Sequence, residues 1–405
     1  MQTMICAKCS AENEAFSRFC SLCGVELGLT KSSKPNENTS NRRYDVDSIR
    51  VSALGLLILY HIVVGFQPWG IKIAFIINRQ SLEPLWILMM VMNIWRIPIL
   101  FVVSGMGARF AMERRDWAQL LSDRIFRIVV PLVFGTFFIV PIYWVIYNNY
   151  YGKPQFYFPN PGHLWFLANI FFYVLILLFV FNYFKKHPEN KFYRFIKSAI
   201  KKPLAIIPVF ALPIMIEAIL IRPKDYESFA FSVHGLLLGL VCFFCGFVFV
   251  SCKEDFWNAV KKAKFITLIL AFSLYLLRAY SVIIIDPEFI PSRLLVNLLT
   301  GFESANWMLA AFGFGAAFLN KQSKLLNYLS TAVYPVYIVH LPVQFFFSSL
   351  VFPLSIPAIL KLVIVLISTY CGSFLIFEII KRIKWIRFLF GMKIKSVLHE
   401  SQIDS

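Results

Sequence analysis

A basic residue and a histidine stand eleven positions apart at the head of the first long apolar stretch, residues 44–66. At about 100° per residue, the step from Arg50 to His61 completes three turns plus about 20°, so a helix places both on one face, about 16 Å apart along its axis. Asp47 precedes Arg50 by three residues, where it can orient the guanidinium. The spacing predicts a cation near one end of a membrane helix and a proton-transfer group deeper inside it.

Two interpretations of this pattern stay open from the residue types alone. Ionisable groups inside a membrane span are costly and usually functional, which favours His61 as a general base. The alternative is that Arg50 is a positive anchor at the start of the helix and that His61 hydrogen-bonds to a neighbouring helix.

The composition defines the class of protein. The chain has 405 residues, of which 59% are hydrophobic and 15% charged, and its mean hydropathy is +0.68. Such a chain cannot cover itself with a polar surface, so the composition predicts an all-α polytopic membrane protein. The net charge of +18 would also suit nucleic acid. Basic residues between apolar spans are what membrane orientation requires, however, so we expect membrane lipid and no nucleic acid as a partner.

Four cysteines near the N-terminus form two Cys-x2-Cys pairs, Cys6-Ala-Lys-Cys9 and Cys20-Ser-Leu-Cys23. Two such pairs bring four thiolates to one tetrahedral Zn²⁺ and leave no open position for catalysis. Two disulfides are the alternative, which a reducing cytoplasm disfavours. The sequence therefore predicts a zinc ribbon with a structural Zn²⁺ at residues 1–28, which could bind a cytoplasmic partner.

The rest of the chain divides by composition. Residues 29–43 are polar, rich in Ser and Asn, and without periodicity, which indicates a flexible linker. Residues 44–392 contain the apolar spans and form the predicted membrane domain. Residues 393–405 form a predicted cytoplasmic tail.

The membrane domain contains about ten apolar segments, each long enough to cross a bilayer. They lie near residues 49–66, 84–105, 128–147, 163–184, 203–221, 229–252, 265–285, 293–319, 328–350 and 357–380. Connections from odd to even spans carry few Lys and Arg, whereas even-to-odd connections, such as residues 109–127 and 185–202, are rich in them. By the positive-inside rule, this alternation predicts a multi-pass protein of the cell (plasma or inner) membrane with both termini in the cytoplasm. The polar N-terminal region, which has no signal peptide, agrees with that orientation.

An arginine lies deep in the second predicted span, in Asn93-Ile-Trp-Arg96-Ile-Pro98. A buried guanidinium must face a partner, water or an anionic ligand. The structural alternative is an ion pair with Glu217, Glu303 or Glu378.

Two arginines three residues apart, Arg124 and Arg127, share a helix face at the cytoplasmic entry of the third span. Paired guanidinium groups suit phosphate, which they can bind bidentately. Positive-inside anchoring and contacts with lipid headgroups are the alternative.

Polar and aromatic residues gather in the later spans. His163 and Trp165 open the fourth span, where an indole beside an imidazole offers a sugar platform, although interfacial aromatic belts are common. Glu303, Asn306 and Trp307 lie within about one turn of the eighth span and could hold a sugar hydroxyl or orient an imidazole; helix packing is the alternative.

The ninth span combines histidine with proline. Pro335 and Pro342 interrupt a helix that carries His340 and three tyrosines. Because proline has no N–H, backbone carbonyls are left free where the polar side chains gather.

Together these motifs resemble the membrane acyltransferase type 3 family. The shared features are Arg-x10-His from Arg50, Arg-x2-Arg-Ile-x2-Pro from Arg124, His-Leu-Trp-Phe-Leu from His163, and the serine, tyrosine and histidine segment of the ninth span. Asn-Ile-Trp-Arg-Ile-Pro followed by Phe-Val-Val-Ser-Gly is similar to the branch that includes the succinyltransferase of periplasmic glucans. The resemblance covers residues 44–392 and excludes the ribbon.

The resemblance implies an O-acyltransferase that moves an acyl group, acetyl or succinyl, from cytoplasmic acyl-CoA to a hydroxyl of a glycan or glycolipid of the cell envelope. The implied catalytic residues are His61 as general base, with Arg50, Asp47, Arg96, Glu303 and His340. The implied contacts with the phosphates of the donor come from Arg50, Arg124 and Arg127. The implied contacts with the acceptor come from His163 and Trp165, to which the residue types of the eighth span add Asn306 and Trp307.

Three alternatives stay open. Imidazole can act as a nucleophile, so an acyl intermediate on His61 could replace direct transfer. A membrane transporter would also carry intramembrane charges. A membrane sensor could use the zinc ribbon to dock a partner. The transporter and the sensor would not turn over acyl-CoA.

Overall fold

The computed structural model describes residues 3–5, 9, 12–14, 21–23, 42–284 and 292–392. It divides the chain into two compact units, Met1–Arg43 and Tyr44–Ser405. The predicted tail, residues 393–405, lies outside the described residues.

The first unit contains one small antiparallel sheet. Strand β1 (Thr3–Ile5) pairs with β2 (Glu12–Glu14). Two of the predicted zinc ligands, Cys9 and Cys23, lie in turns, whereas Cys6 and Cys20 lie outside the described residues, as does most of the predicted linker. The four-thiolate site therefore stays a prediction.

The second unit is helical. In chain order its helices are α1 (Tyr44–Val64), α2 (Leu85–Asn93), α3 (Arg96–Arg114), α4 (Trp117–Arg124), α5 (Val130–Phe134), α6 (Val140–Tyr150), α7 (Trp165–Lys186), α8 (Lys191–Ile200), α9 (Ile206–Ile221), α10 (Val233–Ser251), α11 (Glu254–Ile284), α12 (Arg293–Phe314), α13 (Lys324–Val351) and α14 (Ala358–Arg382). Short 3-10 turns lie at Pro68–Ile73, Gly162–Leu164, Pro203–Ala205 and Arg387–Phe390. Single π-helical turns at Ile125–Val129 and Gly135–Ile139 join α4, α5 and α6 into one rod, and another at Gly315–Leu319 extends α12.

In the described part of the chain, nine helical segments are long and apolar enough to cross a membrane. The predicted eighth span is the exception. A helix forms there as expected, but its polar residues make it less apolar than the other spans, and they are buried: Asn297, Thr300, Glu303, Ser304 and Asn306. The expectation of ten apolar spans is therefore corrected to nine, together with α12, whose polar side chains face protein.

The second predicted span is broken between α2 and α3, at Ile94 and Trp95. Side chains satisfy backbone carbonyls next to the break: Trp95 Nε1 donates to the Val91 carbonyl at 2.6 Å, and Ser304 Oγ donates to the Ile94 carbonyl at 2.9 Å. The break places Arg96 at the start of a new helix inside the bundle.

Close contact between α3 and α10 depends on two glycines. A Cβ at Gly105 would lie 1.9 Å from the Phe243 carbonyl oxygen, and a Cβ at Gly246 would lie 2.0 Å from the Val102 carbonyl oxygen. Small residues let the two backbones touch, as is common between membrane helices. This contact fixes α3, and Arg96 with it, against the centre of the bundle.

Candidate active site

Three histidines from three different elements meet in the interior of the bundle. His61 lies near the end of α1, His163 lies in the turn before α7, and His340 lies in α13. The rings of His61 and His340 are nearly parallel, at 4°, with centroids 5.3 Å apart. The ring of His163 stands at 88° to that of His340, with centroids 5.1 Å apart. All three were predicted site residues in separate roles, and the structure brings them together.

The partners of these rings define which nitrogens carry hydrogen. His340 Nδ1 lies 2.6 Å from the carbonyl oxygen of Tyr337, which can only accept, so Nδ1 is the protonated nitrogen of a neutral ring. His340 Nε2 is then an acceptor, and His61 Nδ1 donates to it at 3.1 Å. This arrangement leaves Nε2 of neutral His61 with its lone pair, the state that a general base requires.

Proline positions His163. Pro342 has no N–H, so the carbonyl of Ile338, four residues earlier, lacks its helical donor. His163 Nε2 lies 3.1 Å from that carbonyl oxygen and donates to it, and the Tyr337 hydroxyl donates to the carbonyl of His163. The prediction that prolines in this helix free backbone groups for polar side chains is confirmed at Pro342.

Gln344, one turn after His340, holds the end of α1. In that last turn Gly65 N–H donates to Ile62 rather than to His61, which leaves the His61 carbonyl free to accept from Gln344 Nε2 at 2.7 Å. The sequence analysis missed Gln344. The available signal was an amide four residues beyond a histidine in an otherwise apolar helix.

Aromatic rings surround the histidines. Phe75 lies 5.6 Å from the His61 ring and 5.5 Å from Phe345, and Tyr143 lies 5.2 Å from Phe345 and 6.0 Å from His163, measured between centroids. An apolar shell of this kind limits the access of water to the partly exposed His61 ring and strengthens nearby electrostatic interactions.

Arg96 lies beside this shell and packs on the ring of Tyr60, the residue that precedes His61. Its guanidinium carbon is 3.4 Å from the ring centroid of Tyr60, a cation–π contact, and Nη1 donates to the Asn93 carbonyl at 3.3 Å. Only 4% of Arg96 is exposed, and its Nε, like both amide atoms of buried Asn93, has no hydrogen-bond partner in the described residues. The site therefore holds a buried cation, packed on the neighbour of the base, whose Nε is an unused donor.

The three acids considered as partners of Arg96 are engaged elsewhere. Glu217 pairs with His234 at 2.9 Å, Glu303 with Arg278 at 2.8 Å, and Glu378 with Lys381 at 3.1 Å. No acidic side chain within the described residues forms a salt bridge with Arg96. The interpretation of Arg96 as half of a structural ion pair with one of these acids is therefore wrong.

Glu303 belongs to a second cluster, separate from the histidines. Arg278 of α11 binds both of its carboxylate oxygens, at 2.8 and 3.0 Å, and Trp307 Nε1 donates to it at 3.2 Å. Arg278 also donates to the Met90 carbonyl at 2.6 Å. The cluster orients a guanidinium, and the expectation that it orients an imidazole is corrected. The sequence analysis missed Arg278, although it is an arginine within an apolar span.

Two further predicted acceptor contacts lie in the core. Asn306 is fully buried, and its Nδ2 donates to the Phe302 carbonyl of the same helix at 2.8 Å. Trp165 is 8% exposed and packs against Phe101, with ring centroids 6.2 Å apart. The expectation of an open sugar platform at Trp165 is therefore corrected, because the indole is covered by protein.

The predicted donor-binding cations lie at the opposite end of the helices from the histidines. Asp47 binds Arg50 at 2.6 Å, as expected. Asp123 binds Arg127 at 3.0 Å, while Arg124 Nη2 donates to the backbone carbonyl of Gly107 at 3.3 Å. Arg124 thus directs its guanidinium to a backbone carbonyl of the bundle and forms no salt bridge within the described residues.

A buried His–Glu pair anchors the loop between α9 and α10. His234 Nδ1 lies 2.9 Å from Glu217, and its Nε2 lies 3.0 Å from the carbonyl of Tyr226 in the loop. Burial raises the pKa of the Tyr226 hydroxyl, so this group stays neutral. The pair fixes this loop to the bundle, and its hydrogen bonds involve none of the three histidines.

The fold and these clusters define a multi-pass helical membrane protein with a cluster of three histidines, of which His61 and His340 are hydrogen-bonded to each other. A family model described as an acyltransferase domain, of the type 3 group, matches residues 43–378, and the chain belongs to this family. The chain is also similar to glucans biosynthesis protein C of Escherichia coli O1:K1 / APEC, O45:K1 (strain S88) and O157:H7. It is 24% identical to each over 392 residues, which cover 88% of this chain and 96% of the relative. No solved structure matches the chain. The protein is therefore a membrane acyltransferase.

Proposed function

We propose that this acyltransferase moves an acyl group, acetyl or succinyl, from acyl-CoA to a hydroxyl of a glycan or glycolipid, with His61 as general base. The observation that carries the proposal is the hydrogen bond from His61 Nδ1 to His340 Nε2, at 3.1 Å. It leaves the other nitrogen of His61 unprotonated beside a buried guanidinium.

The reaction moves one proton from the acceptor hydroxyl through His61 to the leaving thiolate. His61 Nε2 takes the proton of the acceptor hydroxyl as its oxygen attacks the thioester carbonyl carbon. The tetrahedral oxyanion lies against the donors of Arg96. Its collapse breaks the carbon–sulfur bond, and the leaving thiolate receives the proton from His61, giving an ester and free coenzyme A. His340 accepts from His61 Nδ1 throughout and so fixes the ring.

We place the donor at the Arg50 end of the bundle, facing the cytoplasm, with both chain termini on that side of the inner membrane. Arg50, Arg124 and Arg127 would contact its phosphates. The distance of about 16 Å from Arg50 to His61 along α1 suits an extended pantetheine arm. The acceptor would then enter from the other side, where His163 lies.

A glycan acceptor is supported by similarity to relatives named for glucan biosynthesis. Their name concerns those proteins, and the acceptor of this chain is the proposal. His163 lies in the turn that precedes α7, so an acceptor that enters along this segment from the non-cytoplasmic side would meet His163 before His61.

We retain the zinc ribbon as a proposal for the first unit, with Cys6, Cys9, Cys20 and Cys23 as ligands of a structural Zn²⁺. Cys9 lies in the connection between two paired strands, which is where a Cys-x2-Cys pair can bend towards a metal. Metal analysis of purified protein should give about one zinc per chain, lost in Cys9→Ser, with thioester cleavage kept.

Release of free coenzyme A by the purified protein in nanodiscs tests the proposal. Acetyl-, succinyl- and longer acyl-CoA are offered to wild type and to His61→Ala, with exposed His187→Gln as the matched histidine control. Cleavage or saturable binding that His61→Ala loses and His187→Gln keeps supports the enzyme. If no thioester is cleaved or bound by folded wild type, the donor and the role of His61 are both wrong, and a transporter or sensor becomes the better explanation.

A further inference from the structure

Residues 152–162, which we call the α6–α7 arm, run back along α6 instead of looping away from it. Gln155 Nε2 donates to Asn149 Oδ1 at 2.7 Å, and the Tyr157 hydroxyl donates to the Phe137 carbonyl at 2.7 Å. The arm's own backbone lies against Asn148 at Lys153, whose N–H donates to the Asn148 carbonyl at 2.8 Å, and against Val140 at Gly162, two levels of the rod that differ by about 12 Å. The arm therefore descends about 12 Å along the rod, below the outer edge of a hydrocarbon core that is about 30 Å thick, before it reaches α7.

Backbone features of the rod receive the arm. Pro141 has no N–H, so the Phe137 carbonyl lacks its usual helical donor and can accept from Tyr157. At the lower end, Gly162 has a φ of +49°, and a Cβ there would lie 2.1 Å from the Tyr143 hydroxyl. Pro141 and Gly162 thus fix the position of the arm on the rod, and the arm ends one residue before His163.

The arm lies at a level where the same rod faces lipid. Phe138, Ile142 and Val145 are 64, 47 and 43% exposed, and they belong to a segment apolar enough to span a membrane. The arm is not helical before Gly162, and residues 152–158 are exposed. Irregular backbone at membrane depth is tolerated where it is covered by protein or lines a water-filled cavity, and not where it faces lipid.

Backbone donors of the arm also indicate that it does not face lipid. Within the described residues, no protein acceptor binds the N–H groups of Gln155, Phe156, Tyr157 or Phe158. Pro154, Pro159 and Pro161 reduce the number of such donors but do not remove them. An unpaired N–H group in hydrocarbon costs several kcal/mol, so these groups require water or a hydroxyl-bearing ligand.

We infer that the α6–α7 arm lines an aqueous groove that carries a carbohydrate acceptor to His163. The inference rests on the proposed function for its identification of the occupant as the acceptor. Phe156, Tyr157 and Phe158 are 54, 65 and 45% exposed, and such rings stack on the C–H faces of sugars. The free backbone N–H groups suit sugar hydroxyls, which both donate and accept.

Cysteine accessibility tests the groove without reference to catalysis. Phe156→Cys is compared with Ile142→Cys, an exposed residue of the lipid-facing side of the same rod, and with wild type for the native cysteines. A membrane-impermeant maleimide is added from the non-cytoplasmic side, with and without glucan oligosaccharides. We expect Phe156→Cys to react and to be protected by the oligosaccharides, while Ile142→Cys stays at the wild-type level. If Phe156→Cys is as unreactive as Ile142→Cys, or instead cross-links two copies of the chain, the groove is overturned.

Kinetics then test the occupant. With glucan oligosaccharides as acceptor, Phe156→Ala should raise the acceptor KM about tenfold, whereas Ile142→Ala should leave it at the wild-type value. Labelling without protection, together with an unchanged KM, would overturn the carbohydrate assignment. If wild type cleaves no thioester at all, the proposed reaction fails, while the labelling and protection results still decide whether the arm binds carbohydrate.

Discussion

His61 Nδ1 and His340 Nε2 lie 3.1 Å apart although the residues are 279 positions apart in the chain. His340 is itself fixed through Nδ1 to the Tyr337 carbonyl. The Tyr337 carbonyl therefore fixes the orientation of His340, and His340 in turn fixes the ring of His61 and the direction of its free nitrogen. Within the proposed mechanism, His340 is a positioning residue that acts through His61.

Replacing His340 should slow acyl transfer without emptying the donor site. His340→Leu removes the acceptor of the His61 Nδ1–H and should lower kcat about 100-fold, within the usual range for a general base. His340→Gln, whose side-chain oxygen can accept, should recover part of that loss. Steady-state kcat and KM for acyl-CoA check both variants. Equal kcat in His340→Leu and wild type would contradict the positioning of His61 by His340.

Gln344 should act in the same direction through the backbone. Gln344→Leu keeps the volume but leaves the His61 carbonyl without its donor, so the end of α1 loosens and the base is less well aligned. We expect kcat to fall about tenfold with KM for acyl-CoA unchanged. Gln322→Leu, an exposed residue before α13, is the matched control. A change in KM alone, or the same loss in both variants, would speak against positioning.

The sequence was sufficient where chemistry depends on local spacing. The step from Arg50 to His61, the contact of Asp47 with Arg50, and the carbonyl freed by Pro342 follow from helix geometry and from the missing N–H of proline. These are properties of single elements, and they hold whatever the elements pack against.

Pairings across elements were not predictable in that way. Arg278 and Glu303 come from two helices whose relative rotation no periodicity specifies, and Gln344 matters because α13 crosses the end of α1. The sequence analysis also counted α12 among the apolar spans. Its polar residues are buried against protein, which accepts polar side chains that lipid would not. Tertiary packing decides these cases.

The Arg278–Glu303 pair should be structural. Arg278→Met leaves a carboxylate that is 1% exposed without its cation, which typically costs about 3 kcal/mol or more. We expect a large fall in thermal stability in detergent for Arg278→Met and for Glu303→Met, and recovery of much of it in the double variant. If each single variant kept wild-type stability but lost activity, Glu303 would regain a catalytic role.

Arg124 should contribute to donor affinity. Its guanidinium binds a backbone carbonyl rather than an acid, so its charge is available to phosphate. Arg124→Gln should raise KM for acyl-CoA about tenfold, as expected for one charge-assisted contact. Lys262→Gln removes the same charge from the exposed start of another span and should have little effect. Equal shifts in the two variants would indicate general surface attraction instead of a phosphate site.

Replacing Arg96 distinguishes a catalytic role from a structural one, because the two roles predict opposite effects on the free energy of unfolding. A buried guanidinium without an acidic partner costs free energy of desolvation, which its contact with Tyr60 offsets only in part. Arg96→Met keeps similar volume and removes the charge, so the free energy of unfolding should not fall. Loss of a donor to the oxyanion should lower kcat by about 100- to 1000-fold. Melting temperature and kcat measured on the same preparation check this opposition. A strongly destabilised variant would show instead that Arg96 holds the fold together.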